Sequence, residues 1–333
     1  MKSGFSVVLG MLVAPMVILF ASSLYYIHGC EPTYEQVTSG PIGEMEPVVS
    51  PDGKRLAFRE FTPESHTASE RGGLRILSLD PGKRESKLLL KPDQFHGGAS
   101  WSPDNLWLSY SNYESIQPGS SSVERRIYKV NMDTGEKVRL TPGLPTLRIG
   151  EFTSWSERGE IAFVADNNIY AMRHDGSNLR KLVDVVPKEP NLRPVQIAWS
   201  SDGKSLAFSA ERTSDSGSKE ESKIWLADVQ SGHLRPITTG VYDETPTWQD
   251  SDTIIFSRFS DNLPTVSLYS VSIRTGTVKR VSHNGMGYSP WVDQKSKVLY
   301  FSSAKRFDPS GNDFNMFRGF HVWRMPINTS VDK

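Results

Sequence analysis

"VVSPDGKRLAFRE" fills residues 48–60, and "IAWSSDGKSLAFSAE", residues 197–211, repeats it almost letter for letter. Each copy sets an apolar stretch, a Ser followed by an Asp-Gly turn, and a second apolar stretch ending in Phe. Asp-Gly between two apolar runs is a hairpin signal, because Gly reaches the positive φ of a tight turn at no steric cost. The two copies therefore predict two antiparallel strand pairs of the same build.

The residue before the turn serves as a landmark, and it recurs at Val49, Trp101, Trp155, Trp199, Trp248 and Val292. Spacings of 44 to 54 residues separate the six copies, close to the roughly 40–50 residues of a propeller blade. An aromatic residue follows each landmark, at Phe58, Tyr110, Phe163, Phe208, Phe256 and Phe301, and closes the second strand. Alternation predicts a third strand in "IYKVNMD" from Ile127, "IYAMRHD" from Ile169, "IWLADVQ" from Ile224, "LYSVSIR" from Leu268 and "VWRMPIN" from Val322. "LRILSLD" from Leu74 keeps the alternation but places Arg75 in the aromatic slot. A turn and a short fourth strand, such as "KLLL" or "RPIT", complete five copies.

The sixth copy lacks a fourth strand, and "YEQVTSG" at 34–40 matches "RPITTG" at 235–240. Residues 34–38 are thus predicted to form the outer strand of the last blade, which removes the open sheet edge of a linear array. The expected fold is an all-β six-bladed β-propeller of four-stranded antiparallel blades over residues 34–328. One hydrophobic helix within residues 1–30 precedes it.

The repeated motif, "EPVVSPDGKRLAF", "SWSPDNLWLSY", "SWSERGEIAF", "AWSSDGKSLAF", "PTWQDSDTIIF" and "SPWVDQKSKVLYF", resembles the blade repeat of the TolB-type, WD40-like propeller family. The resemblance implies the propeller fold and, with it, binding of a protein or peptide partner in the cell envelope.

Lys plus Arg and Asp plus Glu both number 38, so no global field favours a nucleic-acid partner, and none is expected. The single cysteine, Cys30, excludes an internal disulfide and a Cys-based zinc site. Residues 5–27 carry no charge and are long enough to cross a bilayer of about 30 Å as a helix. Lys2 and the terminal amine orient such a segment with the rest of the chain outside the cytoplasm. Three fates stay open: a retained anchor, cleavage after "ASS" at 21–23, or lipid attached to Cys30 in "IHGC", which resembles a lipobox. Each leaves an extracytoplasmic, periplasmic domain, tethered to the membrane unless the segment is cut away.

In such a blade the loops divide by face. The turns of one face are short, whereas the second-to-third strand loops at 59–73, 111–126, 210–223 and 302–319 are long, as are the links between blades. Binding residues concentrate in long loops on a rigid scaffold. Each innermost strand begins on that face, at Glu46, Gly98, Phe152, Gln196, Thr245 and Ser289, with Glu151 and Glu244 one step earlier. The candidate site at the channel mouth and long loops is therefore Glu46, His96, Glu151, Gln196, Glu244, His283 and Arg306. Three glutamates there would draw a basic side chain or a cation, although carboxylates bathed in channel water would read the same way.

Nothing in the sequence spells out catalysis. No G-x-S-x-G elbow is present, the seven histidines show no metal-ligand spacing, and "DPSGNDFN" at 308–315 reads as turns. Asp52, Asp104 and Asp202 fall one per blade in turns, not in carboxylate pairs. The expectation is a non-catalytic domain without metal or cofactor that binds an envelope protein or peptide. The alternative is a propeller enzyme that processes carbohydrate or peptide, as a lyase or hydrolase, or the accessory domain of one.

Overall fold

A computed structural model describes residues 34–40, 43–61, 72–92, 97–115, 123–141, 147–214, 219–260, 265–283, 285–304 and 319–327. They form six sheets of four antiparallel strands each. Blade 1 runs Glu44–Val49, Arg55–Phe61, Gly72–Ser78 and Ser86–Leu90 in spatial order. Blades 2 to 5 repeat the plan from Gly97–Trp101, Ile149–Trp155, Leu192–Trp199 and Asp243–Trp248. Blade 6 joins Tyr288–Asp293, Val298–Ala304 and Phe320–Pro326 to Glu35–Gln36 from the other end of the chain. The apolar run at 5–27 and Cys30 lie outside the described residues, and among the described residues no helix is long and apolar enough to cross a membrane.

The motif residues each have a local task. In the blade 4 turn, the Ser200 hydroxyl donates to Asp202 Oδ1 (2.7 Å) and accepts from the Ser205 amide (3.0 Å), while Asp202 also accepts from the Lys204 amide (3.0 Å). Gly203 supplies the left-handed conformation, at φ 65°. The Lys204 amide and the Ser200 hydroxyl hold the Asp202 carboxyl below its usual range. Blades 1 and 2 build the same turn with Ser50 and Asp52, and with Ser102 and Asp104. These aspartates make turns.

Aromatics of the second and third strands face each other in register, as Tyr110↔Tyr128, Phe163↔Tyr170, Phe208↔Trp225, Phe256↔Tyr269 and Phe301↔Trp323. In blade 1 Phe58 faces Arg75, whose Nε lies 2.6 Å from Glu60 Oε2. The apolar core is divided into six clusters, and each is shared by two neighbouring blades. Val48 and Leu74 of blade 1 pack with Trp101 and Leu108 of blade 2. Ile127 and Leu140 of blade 2 pack with Ile161 and Phe163 of blade 3, and so on around the ring. Trp101 and Trp248 add a hydrogen bond across the gap, from Nε1 to the carbonyls of Val48 and Ala198, both at 3.0 Å.

The sixth cluster closes the ring. Val37 joins Tyr300 and Val322 of blade 6 to Val49, Leu56 and Phe58 of blade 1. Glu35 pairs with Arg324 and Gln36 with Trp323, the Val37 amide donates to the Val322 carbonyl at 2.7 Å, and Arg324 Nη2 reaches Glu35 Oε2 at 2.7 Å. Thr38 ends the strand by accepting the Val322 amide on its hydroxyl at 2.9 Å. Thr141, Thr238 and Ser282 do the same for Ile127, Ile224 and Leu268 at 3.0, 3.1 and 2.8 Å. The closing strand is thus finished like an ordinary fourth strand.

Both Thr38 and Thr238 are buried, so replacing either hydroxyl by a methyl group strands a buried amide. Thr38→Val and Thr238→Val should each lower the free energy of unfolding by about 1–3 kcal/mol, measured by urea denaturation. A Thr38→Val protein as stable as the parent would mean that the seam is looser than the other blades.

Candidate functional site

Every innermost strand breaks register partway along its first pairing, at Met45/Val48, Gly97/Ser100, Ile149/Thr153, Pro194/Ile197, Glu244/Thr247 and Tyr288/Trp291. A bulge re-aims side chains, and here it turns one residue per blade toward the axis. Glu46, Gly98, Phe152, Gln196, Thr245 and Ser289, each with its successor, line a central cavity of about 90 Å³. Glu46, Thr245 and Ser289 sit in the left-handed region at φ 56°, 53° and 49°. For β-branched Thr245 this costs conformational energy, offset by a hydrogen bond between its hydroxyl and that of Ser257 (2.6 Å) and one from its amide to Gln196 Oε1 (3.2 Å).

Space for a carboxylate comes from the glycine pair of blade 2. A Cβ on Gly97 would lie 2.2 Å from Glu151 Oε1, and one on Gly98 would lie 2.3 Å from the Glu151 carbonyl. Glu151 therefore packs where no side chain competes. Arg59, only 3% exposed, binds it through Nη1 at 3.0 Å and reaches Glu46 Oε1 at 3.4 Å. The guanidinium lies over the Phe61 ring, 4.7 Å from its centroid. Burial first, and then the neighbouring Glu46, push the Glu151 carboxyl up to about 7, with Arg59 and Arg125 opposing the rise. Glu46 Oε2 is buried, with no hydrogen-bond partner among the described residues.

Tyr288, next to the cavity-lining Ser289, lies near the three glutamates. Its phenol is held well above its usual range by burial and then by Glu244, Glu46 and Glu151, while it hydrogen-bonds the Gln196 side chain. A phenol that keeps its proton is a hydrogen-bond donor and not a base. Gln196 in turn accepts the Ser209 hydroxyl at 2.7 Å. The mouth thus gathers three glutamates, one buried arginine, one glutamine and one tyrosine contributed by blades 1, 3, 4, 5 and 6.

Of the residues expected from sequence, Glu46 and Gln196 line the cavity, and Glu151 and Glu244 stand beside it. His283 lies elsewhere: its amide donates to the Tyr34 hydroxyl at 3.0 Å and its ring packs on Tyr34 with centroids 5.2 Å apart, so it belongs to the closing seam. His96 and Arg306 lie outside the described residues. Arg59 and Tyr288 were not foreseen. A signal for Arg59 existed, since the residue after the blade aromatic is Ser111, Val164, Ser209, Ser257 or Ser302 in the other blades. A long cation at a position otherwise small and uncharged marks blade 1 as different. Among the described residues no three His, Cys, Asp or Glu side chains are grouped to hold a metal ion.

No family model matches the sequence. The chain is 26% identical over 196 residues to dipeptidyl-peptidase 5 of Porphyromonas gingivalis, an alignment that covers 55% of this chain and 26% of that protein. Among solved structures, TolB from Acinetobacter baumannii superposes with a TM-score of 0.55 at 19% identity, covering 83% of this chain and 64% of that one. An oligogalacturonate lyase in complex with manganese superposes with a TM-score of 0.54 at 16% identity, covering 89% and 80%. At these identities the structures establish the fold alone, that of the TolB-type six-bladed propeller. The chain spans about a quarter of the length of the peptidase it matches. The expectation of a non-catalytic domain is corrected by the sequence comparison, because a dipeptidyl-peptidase is among the proteins the chain is similar to.

The Glu151 carboxyl also makes stability depend on pH. An unfolded glutamate loses its proton near its ordinary value of 4.5, while folded Glu151 keeps it up to about 7. Across that window the folded state binds more protons, so stability falls as pH rises. Glu151→Gln removes the effect, and its stability relative to the parent should increase from about pH 5 to pH 8. Urea denaturation of both proteins across this range tests it, and parallel stability profiles would refute the placement of Glu151.

Proposed function

We propose that the propeller recognises peptides by their amino end as part of a peptide-processing activity. The observation that carries this reading is the part-buried mouth, where Glu46 lines the cavity with Glu151 and Glu244 beside it, and Arg59 is the cation that pairs with Glu46 and Glu151. An ammonium group fits such a place. It can donate three hydrogen bonds to carboxylates, and charge-assisted bonds of this kind are strong away from bulk water. Similarity to a dipeptidyl-peptidase supports peptides as the substrate class. The propeller's part in the reaction is to hold and orient the chain, which lowers the entropic cost of reaching the reacting geometry. A location outside the cytoplasm, with residues 5–27 as anchor or signal, accords with this role, and so does a peptide or protein partner in the cell envelope.

A second reading, a carbohydrate-processing enzyme, is favoured by the Glu46 and Glu151 pair. One carboxyl that holds its proton near neutrality beside a second carboxylate is the arrangement that acid–base chemistry at a glycosidic bond requires.

Calorimetric titration with leucyl-phenylalaninamide and its N-acetyl derivative separates the two. The free amine should bind about tenfold or more tightly than the acetylated form, since a buried charged hydrogen bond is worth roughly 1.5–3 kcal/mol. Glu244→Gln should reduce the difference. Equal binding of the two forms would overturn the peptide reading, and binding of acidic oligosaccharides in their place would favour the second.

A further inference from the structure

We infer that the cleft between blades 2 and 3 is a second subsite, which receives the carboxylate of a short peptide whose amine occupies the glutamate mouth. The inference rests on the amine-binding role proposed above.

The cleft has a volume of about 490 Å³ and is lined by Tyr113, Val123, Glu124, Arg125, Leu147, Arg148 and Ile149. Arg125 is its centre. Its guanidinium lies 4.8 Å from the Tyr113 ring centroid, Nη2 donates to the Tyr113 hydroxyl at 2.8 Å, and Nη1 donates to the Ile149 carbonyl at 3.2 Å. These contacts fix the guanidinium without neutralising it. Among the described residues Arg125 has no carboxylate within ion-pair distance, and its buried Nε has no hydrogen-bond partner. Glu124 does not compensate for it, being engaged by Arg126. Exposed Arg148 adds a second positive charge at the rim.

A comparable cleft lies between blades 4 and 5, with a volume of about 320 Å³ and Arg258 in its wall. There the guanidinium is clamped by fully buried Asp243 through two bonds of 2.6 and 2.9 Å. The cation of that cleft is committed to the fold. The cation of the blade 2–3 cleft keeps its capacity for a carboxylate, and the planar fork of an arginine suits one.

Position relative to the mouth sets the ligand's length. Ile149 lines the cleft and Glu151 stands at the mouth, two residues along one strand, or about 7 Å at 3.3 Å per residue. The charge of Arg125 is felt at the Glu151 carboxyl. An extended peptide advances about 3.3–3.6 Å per residue, so a chain of two or three residues spans the gap. Val123, Leu147 and Tyr113 present apolar surface to its second side chain. The substrate class is therefore a short zwitterionic peptide with an apolar or aromatic residue next to its carboxyl end.

The test compares leucyl-phenylalanine as the free acid with leucyl-phenylalaninamide, titrated into the full chain and into Arg125→Gln and Arg125→Lys. The free acid should bind the parent about tenfold or more tightly than the amide. Arg125→Gln should abolish that preference, bringing the ratio of acid to amide affinity to about one, and Arg125→Lys should restore part of it. Equal affinity of acid and amide for the unmodified protein overturns the inference without any variant having to fold. If N-acetylation still weakens binding in that case, the amine reading stands and only the carboxylate subsite falls. If neither peptide binds, or acetylation has no effect, both fall.

Discussion

Each blade of this propeller is half of two cores. A four-stranded sheet here has two apolar faces, and among the described residues the sheets before and after it are what covers them. Burying a large apolar side chain contributes about 1.5–3 kcal/mol, and Phe58, Phe163, Phe208, Phe256 and Phe301 are all fully buried. None of that stabilisation belongs to a blade in isolation. The fold is therefore a property of the closed ring, and the strand of Glu35 and Gln36 is as much a part of the core as any signature residue.

This constraint also explains which features can be read from sequence. Blade aromatics, landmark residues, turn glycines and the closing strand recur at fixed offsets because every interface between blades poses the same packing problem. Repetition exposes them. The mouth is different, since each blade contributes one bulge residue and the chemistry depends on how the six differ. Glu46 and Gln196 could be placed because they occupy equivalent offsets before a landmark. Arg59 stands out in the sequence as a long cation at an otherwise small position, but its role, like that of Tyr288, depends on carboxylates that arrive from other blades. His283 has a suitable loop position, but its amide and ring are taken up by Tyr34 in the seam. Gly97 and Gly98 look like strand breakers in the sequence and act as the space that Glu151 occupies.

Rigidity and charge are linked at the mouth. The left-handed backbone of Glu46 and Thr245 is held by hydrogen bonds to side chains, with Ser302 Oγ accepting from the Glu46 amide at 3.1 Å and the Thr245 and Ser257 hydroxyls paired. Ser302 belongs to blade 6 and Glu46 to blade 1, so the geometry of the acidic wall is fixed partly across the seam. A scaffold of this kind can hold like charges close together because the cost of crowding them is spread over six interlocked sheets. Such pre-organisation is what a binding site needs if it is not to order itself anew for each ligand.

The pairing of Glu35 and Gln36 with Arg324 and Trp323 has a kinetic consequence. Partners almost three hundred positions apart cannot meet while the polypeptide is still emerging from the ribosome, so blade 6 and its interface with blade 1 must be the last to assemble. Until then Val37, Val49 and Phe58 lack their neighbours and present apolar surface that other chains could capture. During biosynthesis the nascent protein would depend on being shielded until its final strand arrives.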